Sequence, residues 1–100
     1  MKTKIFEENG KMVAVLCGSL DTAAAITVEK ELKPLQQNEG KDIVIDCTDL
    51  EYIASSGLRI LLSILKKAKA TGNSVTLRAV NDDIKNVLNM TGFVNLFGFE

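Results

Sequence analysis

The chain has no histidine and no tryptophan, a single proline (Pro34) and two cysteines among its 100 residues. Without histidine, a Ser-His-Asp relay cannot be assembled, and the commonest metal ligand is missing. Cys17 and Cys47 stand in separate apolar runs, each without the second cysteine that metal-site spacing requires, so both read as small core residues. Long hydrophobic runs are also lacking. Ile60–Leu65 is typical, far below the ~20 residues of a membrane-spanning helix, and the N-terminus meets Glu7 and Glu8 before any apolar stretch a secretory leader would need. A cytoplasmic protein that does not insert into membranes is expected. Charge of one sign is scarce too: 12 basic against 13 acidic residues leave a net charge of -1, which gives no general attraction for nucleic acid or anionic lipid.

Phosphate-binding loops of the Gly-x-x-x-x-Gly-Lys-Ser/Thr and Gly-x-Gly-x-x-Gly kinds are absent, and Ser55-Ser56-Gly57 lacks the frame of a nucleophile elbow. The carboxylate pairs Glu7-Glu8 and Asp82-Asp83 are sequence neighbours at a strand edge and a helix cap, the usual place for solvated charge. No enzyme activity, metal or cofactor is expected from these residues.

What is present is a globular composition, 46% apolar and 25% charged, of a size that suits one domain over residues 1–100. Thr3–Glu8 and Met12–Cys17 flank Asn9-Gly10, a dipeptide that supplies the positive φ of a tight hairpin. Gly18-Ser19-Leu20-Asp21-Thr22 reads as a loop in which Asp21 or Thr22 caps a helix carrying Ala25, Val28, Leu32 and Leu35 inward, and Pro34 should kink or end it. After a loop at Asn38-Glu39-Gly40, the continuous apolar stretch Ile43-Val44-Ile45 predicts a central strand covered on both faces. Cys47–Ala54 reads as a connection, and Ser55 to about Lys69 as a helix with Leu58, Leu61, Leu62, Leu65 and Ala68 inward, ended by Gly72-Asn73. A short strand at Val75–Leu77, a helix capped by Asn81 or Asp82 and a last apolar segment, Phe93–Phe99, complete the order β-β-α-β-α-β-α-β. The fold class is α/β, with a mixed four- to five-stranded sheet and helices packed mainly on one face.

Small hydroxyl residues at the start of the long helix are the one unusual feature. Ser55 has two readings. It can cap the helix by accepting from free first-turn amides, or it can be an exposed phosphoacceptor whose added charge the helix dipole tolerates. With about 100° per residue, Ser56, Arg59, Ile60, Ser63, Ile64 and Lys67 turn away from the leucine stripe. Ile60 and Ile64 are therefore either extra packing or an apolar anchor for a partner protein, and Ile64→Asp is expected to weaken partner binding without unfolding the chain. Arg59, one turn beyond Ser55, is either a solvated surface residue or a ligand for a phosphate there.

Three segments resemble the STAS domains of bacterial anti-sigma-factor antagonists. They are Gly18-Ser19-Leu20-Asp21, the stretch Ile43–Leu62 with Asp46, Leu50, Tyr52-Ile53 and Ser55-Ser56-Gly57-Leu58, and Leu88-Asn89-Met90-Thr91-Gly92-Phe93. The resemblance covers nearly the whole chain. It implies a monomeric switch that binds an anti-sigma-factor serine kinase and so releases the sigma factor, ATP being bound by the partner. Phosphorylation at Ser55 would end that binding. It places Asp21 and Ser55 at the docking surface, to which the reading of the loop and helix adds Thr22, Ser56, Gly57, Arg59, Ile60 and Ile64, and a serine phosphatase is a second candidate partner. Ala54 stands where many members have aspartate, and the chain stops at Glu100 where relatives commonly add a helix, so one sheet edge or face is expected to be barer. Two other readings stay open: a constitutive STAS-like interaction subunit of a transporter or signalling assembly, in which Ser55 only caps, and a regulatory domain for a nucleotide or small ligand.

Overall fold

The computed structural model describes residues 1–36 and 40–100, and Asn38 and Glu39 of the expected loop lie outside them. Strands β1 (Lys2–Glu8) and β2 (Lys11–Leu20) form an antiparallel hairpin. Its two-residue turn works because Asn9 and Gly10 both take positive φ, 51° and 77°. From there the chain alternates: α1 (Thr22–Glu31), the short α2 (Lys33–Gln36), β3 (Ile43–Ile53), α3 (Ser55–Ala70), β4 (Val75–Arg78), α4 (Asp82–Thr91), a 3-10 turn at Phe93–Asn95 and β5 (Gly98–Phe99). The five strands lie in the order β1-β2-β3-β4-β5, parallel from β2 onward. Because that order never reverses, right-handed crossovers place successive helices on the same face.

Pro34 acts as expected. Its ring cannot donate the bond that would continue α1, so that helix closes at Glu31 and Pro34 falls in the first turn of α2, where a missing N–H costs nothing. Leu32 and Leu35 still reach the core.

Two expected loops are strand. Gly18-Ser19-Leu20 continues β2, and Cys47–Ile53 continues β3. The sequence pattern conceals this because the pairing is irregular: Val15 faces Asp46 while Cys17 faces Asp49, and Gly18 faces Leu50 while Ser19 faces Tyr52. At each step β3 spends one residue more than β2, which is a β-bulge. Its buried positions therefore fall at Cys47, Leu50 and Ile53, three apart rather than two, and strand alternation is lost to inspection. The first bulge is fastened by Asp46, whose Oδ1 accepts from Thr48 N (2.9 Å) and Thr48 Oγ1 (2.6 Å). The closing apolar segment is mostly not strand either, since the 3-10 turn takes up Phe93–Asn95 and only Gly98–Phe99 pairs with β4.

The core lies between the sheet and its helices: Ala14, Leu16, Ile45 and Leu77 from the strands meet Val28, Leu61, Ile64, Ile84 and Leu88. Ile60 and Ile64 belong to this core, at 6% and 0% exposure. Of the two readings of this pair, packing under a neighbouring element is the one observed, since α1 packs along α3 and covers that side; their place at the docking surface is overturned. Neither can anchor a partner, and Ile64→Asp would force a charge into packed hydrocarbon and unfold the chain. Across the opposite sheet face, Phe6, Val13, Val44 and Thr76 run in register through β1 to β4. Val13 and Val44 are buried there, while Phe6 remains 41% exposed, so this is the barer face.

Candidate functional site

The site stands at the C-terminal ends of β2 and β3, where open α/β sheets habitually present their working loops. Leu20 and Ile53 are partners in the ladder, and one residue further on Ala54 N donates to Leu20 O at 2.8 Å. That bond sets the starts of α1 and α3 side by side. Asp21 and Ser55, which follow its two ends, are thereby brought to one rim of the sheet, and both are exposed.

Each helix begins differently. Asp21 is the cap of α1: its Oδ1 accepts from Ala24 N at 2.8 Å while its carbonyl accepts from Ala25 N at 2.9 Å. For α3 the capping position belongs to Ala54, extended at φ -86° and ψ 168°, which has no side chain able to cap. The capping reading of Ser55 is thus incorrect. Ser55 is the first helical residue, and its hydroxyl meets no hydrogen-bond partner among the described residues.

Gly57 fixes how close this helix comes to the sheet. A Cβ there would lie 2.7 Å from Leu20 Cγ and 2.9 Å from Ile53 Cγ1, inside any tolerable contact, so only glycine lets the first turn of α3 seat on the ends of both strands. Its role is to hold Ser55 and Ser56 in place, not to face a partner, for it is itself buried.

Beside the rim, α1 and α3 bound a groove of about 310 Å³, lined by Thr22, Ile26 and Glu29 on one bank and Ser56, Arg59 and Ser63 on the other. Ala25 and Ile60 form its floor. The structure therefore gathers Asp21, Thr22, Ser55, Ser56 and Arg59 around one end of the molecule, leaves Ile60 only a small part of the groove floor and buries Ile64. Ser56 Oγ is buried without a partner among the described residues. Ile26, 64% exposed on the groove's edge, was not singled out from sequence. The signal was there: it falls off the Ala25, Val28, Leu32 stripe, leaving a large aliphatic side chain with no core to enter.

Among the described residues, no cluster of metal-ligating side chains occurs, and no helix is long and apolar enough to cross a membrane.

Comparison with known proteins agrees with this architecture. A family model for the STAS domain matches residues 3–100. BtrV of Bordetella bronchiseptica, assigned as an anti-sigma factor antagonist, is 28% identical over 97 residues, spanning 97% of this chain and 84% of that protein. The structure of an anti-sigma factor antagonist from Mycobacterium paratuberculosis superposes with a TM-score of 0.83 at 25% identity, covering 98% of this chain and 83% of the other. The Bacillus cell fate determinant SpoIIAA in its phosphorylated form shares the fold at TM-score 0.74 and 17% identity, over 99% of this chain and 91% of its own.

Proposed function

Starting from the fact that the chain belongs to the STAS domain family, we propose that it is a cytoplasmic anti-sigma-factor antagonist whose unmodified form binds an anti-sigma-factor serine kinase, and that phosphorylation of Ser55 ends the binding. The observation that carries this reading is the state of Ser55: exposed, at the first position of a helix, with its hydroxyl uncommitted to the fold. A serine that capped the helix would have to surrender that bond to be modified; this one surrenders nothing. The relatives assigned as antagonists, and the phosphorylated form in which SpoIIAA has been solved, support the same direction.

In the reaction the γ-phosphoryl group of partner-bound ATP passes to Ser55 Oγ, the bond to the β-phosphate breaks, ADP leaves, and the hydroxyl proton departs to solvent or to a base of the partner. The product adds about −1.5 to −2 charge at the rim, where the amides opening α3 tolerate it. The fold would survive and the docking surface would change.

Intact-mass measurement on the protein isolated from its native host, before and after incubation with host lysate and ATP, tests this reading beside Ser55→Ala. A gain of one phosphate that the variant lacks is the expected result. No modification under any growth condition would replace the switch with a constitutive interaction subunit.

A further inference from the structure

We propose that Arg59 is this chain's own receptor for a phosphate on Ser55, and that capturing the phosphate withdraws the guanidinium from the groove between α1 and α3. The inference rests on the phosphorylation reading and concerns what the modified chain does next.

Arg59 is exposed and, among the described residues, enters no ion pair. Arg78 is its opposite, lying within 4 Å of Glu8, Asp46 and Glu100. Arg59 follows Ser55 by four helical positions, a spacing that sets Cβ atoms about 5–6 Å apart on one face. Side chains on a helix lean toward its N-terminus, so a guanidinium at this spacing can reach back to a phosphate on the serine. A guanidinium grips a phosphate through two parallel hydrogen bonds, which an ammonium cannot reproduce.

The groove gives this capture a consequence. Its charged lining residues are Arg59 and Glu29, one on each bank, and Asp21 nearby spends one carboxylate oxygen on Ala24 N while keeping its charge. Before modification the groove is balanced and offers a free guanidinium beside the unpartnered Ser56 hydroxyl. Such a wall suits a partner segment that brings a carboxylate to Arg59 and an aliphatic side chain to Ile26. After capture, Arg59 is spent on the phosphate and Glu29 is left without a counter-charge. The same partner carboxylate, which had met one positive and one negative group, then meets two negative groups and a guanidinium already engaged. Phosphorylation thus acts by removing an attraction as well as by adding a repulsion.

The test uses full-length protein with phosphoserine installed at position 55 during synthesis, so that no kinase is needed. Phosphorus NMR titration compares this phosphoprotein with its Arg59→Ala and Arg59→Lys versions, while matched thermal unfolding curves check that the folds are equivalent. A second phosphate pKa lower by about 0.5 or more with Arg59 than with alanine, and intermediate with lysine, is expected. The same pKa in all three proteins would overturn the capture. A host that never phosphorylates Ser55 would defeat the switch reading without moving this titration, and equal titrations would defeat the capture without touching the switch.

Discussion

Asp46 shows how one side chain can serve two structures. Partial burial opposes its charge, but the hydrogen bonds from Thr48 Oγ1 and Thr48 N, together with the Arg78 guanidinium, outweigh that and lower its pKa below the usual aspartate value. A carboxyl group whose pKa is depressed in the folded state contributes stability that is complete above its unfolded pKa, about 3.9, and is lost as pH falls through the lower folded value. Asp46→Ala should therefore cost about 1–2 kcal/mol at neutral pH. Urea unfolding at a series of pH values should show the two proteins converging as the medium passes below pH ~3.9. A gap that stays constant with pH would mean that the cost is packing and not charge. In sequence, Asp46 stood out only as part of the family resemblance and not as a bulge residue, because a bulge fastened by a side chain two residues away leaves no periodic trace.

At the scale of elements, the seating of α3 decides whether the rim exists. Gly57→Ala should destabilise the chain by about 1–3 kcal/mol, because Leu20 and Ile53 must move to admit the methyl group. The bond from Ala54 N to Leu20 O should loosen with them, which faster amide exchange at Ala54 would report. An unchanged unfolding midpoint would mean that the close approach is not needed.

The helices, β1 and the inner half of β3 were legible in the sequence because each has a regular period or a stop signal: the leucine stripe of α3, Pro34, Asn9-Gly10, Asn81. The outer halves of β2 and β3 were not, since bulges broke the alternation that marks a strand. Around the site, the hydroxyl cluster and Asp21 were readable as a pattern. Ile60 and Ile64 stayed open between packing and docking because the helical wheel of α3 shows which residues avoid one core face but not that α1 supplies a second.

For the whole molecule, the contrast between a covered and a barer sheet face should be visible in thiol chemistry. Cys17, read from sequence as a core residue, is instead exposed, whereas Cys47 lies in the core with its thiol pushed up to about 12, by burial first and by the neighbouring Asp46 charge second. A colorimetric disulfide reagent at pH 8 should label one thiol per native molecule rapidly and a second only on unfolding. Cys17→Ser should abolish the rapid phase. Two rapid phases in the wild type would mean that the sheet opens far more readily than its packing implies.

The unequal lengths of the strands carry a last consequence. β3 pairs with β4 only from Ile43 to Asp46, so its outer half has a neighbour in β2 on one side and none from β4 on the other. An unsatisfied strand margin of this kind invites pairing with another copy and, eventually, fibrous aggregation. Two devices blunt it. Asn81, besides opening α4, sends its Nδ2 to the carbonyl of Leu50 at 3.0 Å, and Asp49 and Glu51 put like charges on the two residues flanking Leu50. The ledge that displays Ser55 is thus guarded against stray strand pairing by residues that need touch no partner at all.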